Sequence, residues 1–278
     1  MADRYARLAA MGIDVWRTRA TGAAATPAGP RSNAAGPRPG EEGTVRENAK
    51  SRPAMTSPAS QPDSRATAVP RETTRPAAST AVAERGDVAH MPWDELARVV
   101  STCRACALHA GRTQTVFGVG DRTAEWLFIG EAPGAEEDRQ GEPFVGRAGQ
   151  LLNSMLFAIG TSRDKVYIAN ILKCRPPNNR DPQPEESRCC RPFLDRQIAL
   201  IGPKIIVALG RIAAQQLLQT DTPIGRLRGR LHQHTIDGRR IPVVVTYHPA
   251  YLLRSPQEKV KAWADLQLAR QAAASTTA

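Results

Sequence analysis

From residue 125 onward, short apolar blocks alternate with amphipathic stretches. "EWLFIG" (125–130), "KVYIANIL" (165–172), "KIIVALG" (204–210) and "IPVVVTY" (241–247) are compact runs rich in β-branched residues. Runs of that length without polar alternation predict strands buried on both faces. The stretches that follow have helical spacing. They are "RAGQLLNSMLFAIG" (147–160), "PEESRCCRPFLDRQIALIG" (184–202), "RIAAQQLLQ" (211–219) and "SPQEKVKAWADLQLARQAAAS" (255–275). A further helix, opened by Pro92, is predicted in "PWDELARVVSTC". Strand–helix alternation predicts an α/β fold over residues 91–278, a three-layer α/β/α domain around a central, mainly parallel four-stranded sheet. Some 190 residues are ample for one such core.

The first 90 residues read differently. Residues 21–90 are rich in Ala, Pro and Arg and nearly devoid of bulky apolar side chains. Such a stretch buries too little surface to offset its backbone entropy, and disorder is expected. Residues 1–20 carry Tyr5, Leu8, Met11, Ile13, Val15 and Trp16. That short apolar segment is a frayed terminus or an extra helix on the core, or else a docking peptide on a long tether, directed at a repair or replication partner.

The chain of 278 residues has a formal net charge of +11, with 32 arginines and 6 lysines. The arginine excess fits a biased genome or a polyanionic partner such as nucleic acid. No apolar run approaches the roughly 20 residues of a membrane span. Arg4, Arg7 and Asp14 interrupt any signal-peptide core, and Asp3 and Asp14 disfavour a transit peptide. The expected location is the cytoplasm, in association with the nucleoid.

The unusual residues follow the strands. Gly130 and Glu131 follow the first, Asn170 ends the second, Gly210 and Arg211 follow the third, and His248 follows the fourth. Open α/β sheets bind ligands beyond the carboxyl ends of their strands, so these four segments are expected to meet on one rim. Taken singly, Asn170 is equally a strand-end cap, and His248 a satisfied structural histidine.

All five cysteines lie between 103 and 190. Cys103 and Cys106 form a C-x-x-C pair, Cys174 follows 68 residues later, and Cys189 and Cys190 are adjacent. Four thiolates so spaced could hold zinc or a [4Fe–4S] cluster, and spacing alone does not separate the two. Inert core thiols are the plainer alternative. Cys189 and Cys190 compete for the fourth position, being about 100° apart on a helix.

"GEAPGAEEDRQGEPFVGRAGQLL" (130–152) resembles the first motif of family 4 uracil-DNA glycosylases, the iron–sulfur branch of that superfamily. "CRACALHAGRTQTVFGVG", "NILKCRPPNNRDPQPEE", "CRPFLDRQIALIGPKIIVALG" and "HPAYLLR" are similar, in order, to its further motifs. The resemblance covers about residues 93–270. It implies an α/β/α fold and a [4Fe–4S] cluster on Cys103, Cys106, Cys174 and Cys190. Cys190 is favoured because it precedes Arg191, Pro192, Phe193 and Leu194, as the last ligand does in the family, and Cys189 becomes a spare thiol.

The resemblance also implies an enzyme of base excision repair. It would flip uracil from DNA and hydrolyse the N-glycosidic bond, leaving an abasic site. On that reading Phe144 stacks on the base, Asn170 reads O4 and N3–H, and His248 donates to O2. Gly130, Ala132 and Gly134 bring backbone close to the base, and Glu137 sits near C5. Ala132 replaces the water-orienting aspartate of the best-known branch, which leaves Glu131 as the catalytic carboxylate beside His248. Arg175, Arg180, Arg228 and Arg254 are expected on phosphates, with Leu252 or Leu253 as the plug for the emptied stack. Uracil-containing DNA is the expected partner, the expected state is a monomer, and no membrane is involved. Two rivals are a uracil-DNA-trapping branch, which needs a histidine that 173–188 lacks, and a non-catalytic nucleic-acid binder with structural zinc.

Overall fold

The computed structural model describes residues 6, 8–13 and 87–275. Nearly all of the expected disordered stretch and most of the 1–20 segment lie outside the described residues. Six strands form one sheet: β1 (Val119–Gly120), β2 (Trp126–Gly130), β3 (Tyr167–Asn170), β4 (Ile205–Leu209), β5 (Leu231–Ile236) and β6 (Arg239–Thr246). Their order is β1-β3-β2-β4-β6-β5. The four apolar blocks are the central parallel strands, β3, β2, β4 and β6. The expectation of four strands is corrected to six, because β1 and β5 add antiparallel edges.

Eight α-helices pack within residues 87–275: α1 (Trp93–Thr102), α2 (Ala135–Gln140), α3 (Arg147–Ala158), α4 (Pro184–Ile201), α5 (Arg211–Leu218), α6 (Ile224–Leu227), α7 (Pro249–Arg254) and α8 (Lys259–Ser275). Alternate residues of each central strand serve opposite faces. Ile205, Val207 and Leu209 of β4 pack with Leu152, Met155 and Leu156 of α3 and with Ala262 and Leu266 of α8. Ile206 and Ala208 pack with Leu194 and Ile198 of α4 and with Ala213 and Leu217 of α5. That division makes the three layers. A third cluster joins Leu96 and Val100 of α1 to Phe193 of α4.

Met11 is fully buried in the cluster containing α3 and α8. Residues 8–13 therefore pack with the globular body. No described helix is long and apolar enough to cross a membrane.

Parallel register places the chemistry. Gly130 lies opposite Asn170 at the ends of β2 and β3, and Leu209 lies opposite Thr246 at the ends of β4 and β6. One residue beyond, Gly210 N–H donates to Thr246 O at 2.8 Å. All four strand ends thus open on one rim.

Candidate active site and thiol pocket

A cleft of about 450 Å³ lies on that rim, lined by Glu131, Phe144, Asn170, Asp181, His248 and Arg254, among others. Three segments converge at its floor. A Cβ on Gly130 would lie 2.5 Å from Asn170 Oδ1 and 2.6 Å from Phe144 Cζ, so only glycine lets the amide and the ring meet there. The Phe144 and His248 rings are 5.5 Å apart at 32°. Gly210, at φ +96°, would bring a Cβ to 2.9 Å from His248 Cβ, and so admits the histidine at the end of β4.

Asn170 is 2% exposed, and its Oδ1 has no hydrogen-bond partner. An orphaned buried acceptor costs about 1–3 kcal/mol. Such a deficit at the floor of a cleft signals a ligand donor that would complete the site.

His248 is the N-cap of α7, and its Nδ1 accepts the Ala250 N–H at 3.2 Å. That bond puts the ring proton on Nε2. Burial, and then the Arg254 charge, lower its pKa to about 4. At neutral pH it is an uncharged donor that binds no second proton.

Glu131 has its pKa raised to about 7, chiefly by burial and further by Asp181, with Arg211 opposing. A carboxyl that titrates near neutrality inside a cleft marks a candidate acid–base group. Asp181 is itself held by Arg211 at 2.5 Å.

Phe144 adopts φ +55°, a left-handed conformation that a bulky residue holds only at a cost of about 1–3 kcal/mol. Glu137 supports it, since its Oε1 accepts the N–H groups of Val145 and Gly146 at 3.0 and 3.1 Å. Glu137 lines the cleft, but that carboxylate oxygen anchors backbone. Gly134 precedes it as the N-cap of α2, where a Cβ would press on Glu137 Oε2. Ala132 forms part of the cleft wall.

The expected DNA contacts divide. Arg254 is exposed at the cleft, and Leu253 is 36% exposed. Arg175 bonds Asn179 at 2.8 Å, and Arg180 grips the buried Glu186 with both Nη atoms while lining the cleft. Two expectations are corrected. Arg228 turns inward, pairing with Asp265 at 2.7 Å and lying 4.2 Å from the Tyr247 ring centroid. With the partner side chains 11% and 1% exposed, removing one would cost about 3–5 kcal/mol of stability. Leu252 is on the core side of α7 and fully buried, where it cannot enter a base stack.

Sequence reasoning missed Lys173, Arg163 and Asp181. Lys173 is 1% exposed, and its Nζ donates to Asn170 O at 2.9 Å. It also lines a second, enclosed pocket together with Cys103, Cys106, Cys174, Cys189, Cys190 and Arg112. Arg112 Nη1 donates to Cys174 Sγ at 3.0 Å. Cys189 donates to Ala105 O at 3.3 Å and Glu185 Oε1 at 3.4 Å, whereas Cys190 is buried. Burial, then neighbouring thiols, push Cys106 up to about 11, and burial takes Cys190 to about 12. Burial likewise lowers Lys173 to about 7, opposed by Cys190 and Cys174. The Arg112 guanidinium on Cys174, with a ring of thiols around it, suits an anionic centre. Among the described residues no three His, Cys, Asp or Glu side chains close around a single metal ion.

A family model described as the uracil DNA glycosylase superfamily matches residues 117–267. The chain is 49% identical over 168 residues to the type-4 uracil-DNA glycosylase of Archaeoglobus fulgidus, covering 59% of this chain and 84% of that protein. It is 44% identical over 176 residues to the type-4 uracil-DNA glycosylase of Thermotoga maritima, covering 60% and 88%. Identity to that of Pyrobaculum aerophilum is 42% over 170 residues, covering 60% and 87%. A family model over more than half of the chain and relatives matched over more than four-fifths of their length show that the chain belongs to the uracil-DNA glycosylase superfamily and, within it, to the type-4 family.

Proposed function

We propose that this chain excises uracil from DNA by hydrolysing the N-glycosidic bond, leaving an abasic site for base excision repair. The observation that carries the reading is the buried Asn170 amide with an unpaired Oδ1, set between the Phe144 ring and the neutral His248.

The target carbon is inaccessible within a duplex, so the nucleotide is flipped out at a cost of a few kcal/mol. Phe144 stacks on the extruded ring. Asn170 Oδ1 accepts the uracil N3–H and its Nδ2 donates to O4. Cytosine reverses that donor–acceptor order and would leave both sides unpaired. As the glycosidic bond breaks, negative charge gathers on uracil O2. The His248 Nε2–H donates to it without first having to lose a proton. Glu131, as carboxylate, orients the water that attacks C1′ or stabilises positive charge on the sugar. Leu253 fills the vacated stack. Arg175 and Arg254, with the exposed Arg226 and Arg230, face phosphate, while Arg180 braces the loop between.

The test is incubation with a uracil-containing oligonucleotide followed by alkali. A cleaved strand is expected, and an intact one favours a non-catalytic binder. The single-turnover rate should rise as pH passes about 7, the value for Glu131, because the ionised form is the active one. Glu131→Gln should be slow and lack that rise. Near-normal cleavage by this variant removes Glu131 from the step.

The thiol pocket suits a [4Fe–4S] cluster on Cys103, Cys106, Cys174 and Cys190. Its support is the thiol donor set and the Arg112 guanidinium that donates to Cys174 Sγ. Bound there, the cluster would supply a cross-link between α1, α4 and the 174–180 loop, with no electron transfer required for hydrolysis. Cys190→Ser should lose most of the iron and visible absorbance, while Cys189→Ser keeps both. Equal loss from the two variants, or zinc in place of iron, would contradict this ligand set.

A further inference from the structure

The mechanism leaves the half-buried charge of Arg163 unused. Arg163 lies in the short 3₁₀ turn at Arg163–Lys165, before β3. It is not among the residues lining the cleft. Its guanidinium donates to Phe144 O at 3.2 Å and also to Pro143 O. On the other side of the same loop, Glu137 Oε1 accepts from Val145 and Gly146. A Cβ on Gly149 would overlap the Phe144 carbonyl oxygen, so α3 closes the third side.

We infer that Arg163 is a positioning residue for uracil excision, holding Phe144 in its left-handed conformation so that the ring is already aimed at the flipped base. The inference rests on the proposed stacking role of Phe144. A phenylalanine at φ +55° relaxes toward an ordinary backbone region unless its neighbours hold it there. Carbonyl groups have no strong direction of their own. One planar, charged fork spanning two successive carbonyls fixes both peptide planes at once. Lysine can supply the charge but not the fork. Arg163 has a lowered pKa from burial, opposed by Glu142 and Glu137, and stays charged in the working range.

The test is a double-mutant cycle on the full-length holoprotein, read by single-turnover uracil excision, affinity for undamaged DNA, thermal midpoint and iron content. Arg163→Gln should slow excision by about 30-fold or more. Undamaged-DNA affinity and iron content should stay within threefold of the parent. Phe144→Ala should be slow by itself, and Arg163→Gln added to it should cost no more than a further threefold, because the ring that Arg163 serves is gone. Arg163→Lys, which keeps the charge and is the milder change, should fall between parent and Gln and should also lose its effect on the Phe144→Ala background. If Arg163→Gln does not fold, the Lys variant decides. Rates within threefold of the parent, or losses that multiply in the double variants, overturn the inference. If Phe144→Ala is as fast as the parent, the stacking role itself falls, and the inference with it.

Discussion

Asn170→Ala should slow single-turnover uracil excision by about 10²–10³-fold while leaving the thermal midpoint within a few degrees of the parent. The two outcomes come from one feature. In the free protein Asn170 Oδ1 is buried without a partner, so the native state carries a polar deficit of about 1–3 kcal/mol. Removing the amide relieves that deficit and leaves a small void whose cost is of similar size. The two nearly cancel in stability. In the complex the same amide meets uracil N3–H and O4, and its loss falls on excision alone. The measurement pairs a uracil-oligonucleotide cleavage time course with a thermal melt. A variant that cleaves normally would take base reading away from Asn170. A midpoint lower by ten degrees or more would mean that the amide is chiefly structural.

The second large effect concerns His248. His248→Ala should reduce the excision rate by about 10²–10³-fold, the loss of one preorganised donor to a developing anion. Its pH behaviour is equally specific. The folded-state pKa is about 4, against 6.5 for an unperturbed histidine. Below about 6.5 the unfolded chain takes up a proton that the folded chain refuses, so stability drains away as pH falls and the loss saturates below about 4. Between pH 7.5 and 4.5 that amounts to about 2–3 kcal/mol. Denaturant titrations of the parent and of His248→Gln at both pH values isolate the term, since glutamine has no proton to refuse. The parent should lose about that much more stability than the variant. An equal loss in both would show that His248 is protonated in the fold, and a neutral donor could not then be its role.

The parallel sheet was legible because β2, β3, β4 and the later half of β6 are mostly buried on both faces and carry short apolar runs. The edges were not. β1 is two residues long, and β5, "LHQHTI", is mostly polar because its outer side faces solvent. A signal for β5 did exist. Asp237 and Gly238, at φ +46° and +73°, form the two-residue turn that Asp-Gly favours between antiparallel strands.

The site shows the same division. Asn170 and His248 could be placed because strand ends share a rim. Arg228 and Leu252 could not, since an arginine in a glycine-rich loop and a leucine in a short helix look alike from the sequence whether they face solvent or Asp265 and the core. Arg163 acts on backbone carbonyls of a distant segment, and such partners leave no trace in local spacing.

The strand order has a bearing on how the molecule is made. β2 emerges early in synthesis, yet its neighbours in the sheet are β3 and β4, from about 40 and 80 residues further along, and β6 must then add beside β4. Until the ribosome has released the segment through β6, one edge of β4 has no permanent partner. Pairings between segments so distant are slow to find, and chains awaiting them are exposed to one another. Yield of active protein should therefore depend on translation speed and chaperone supply more steeply than the stability of the finished domain would suggest.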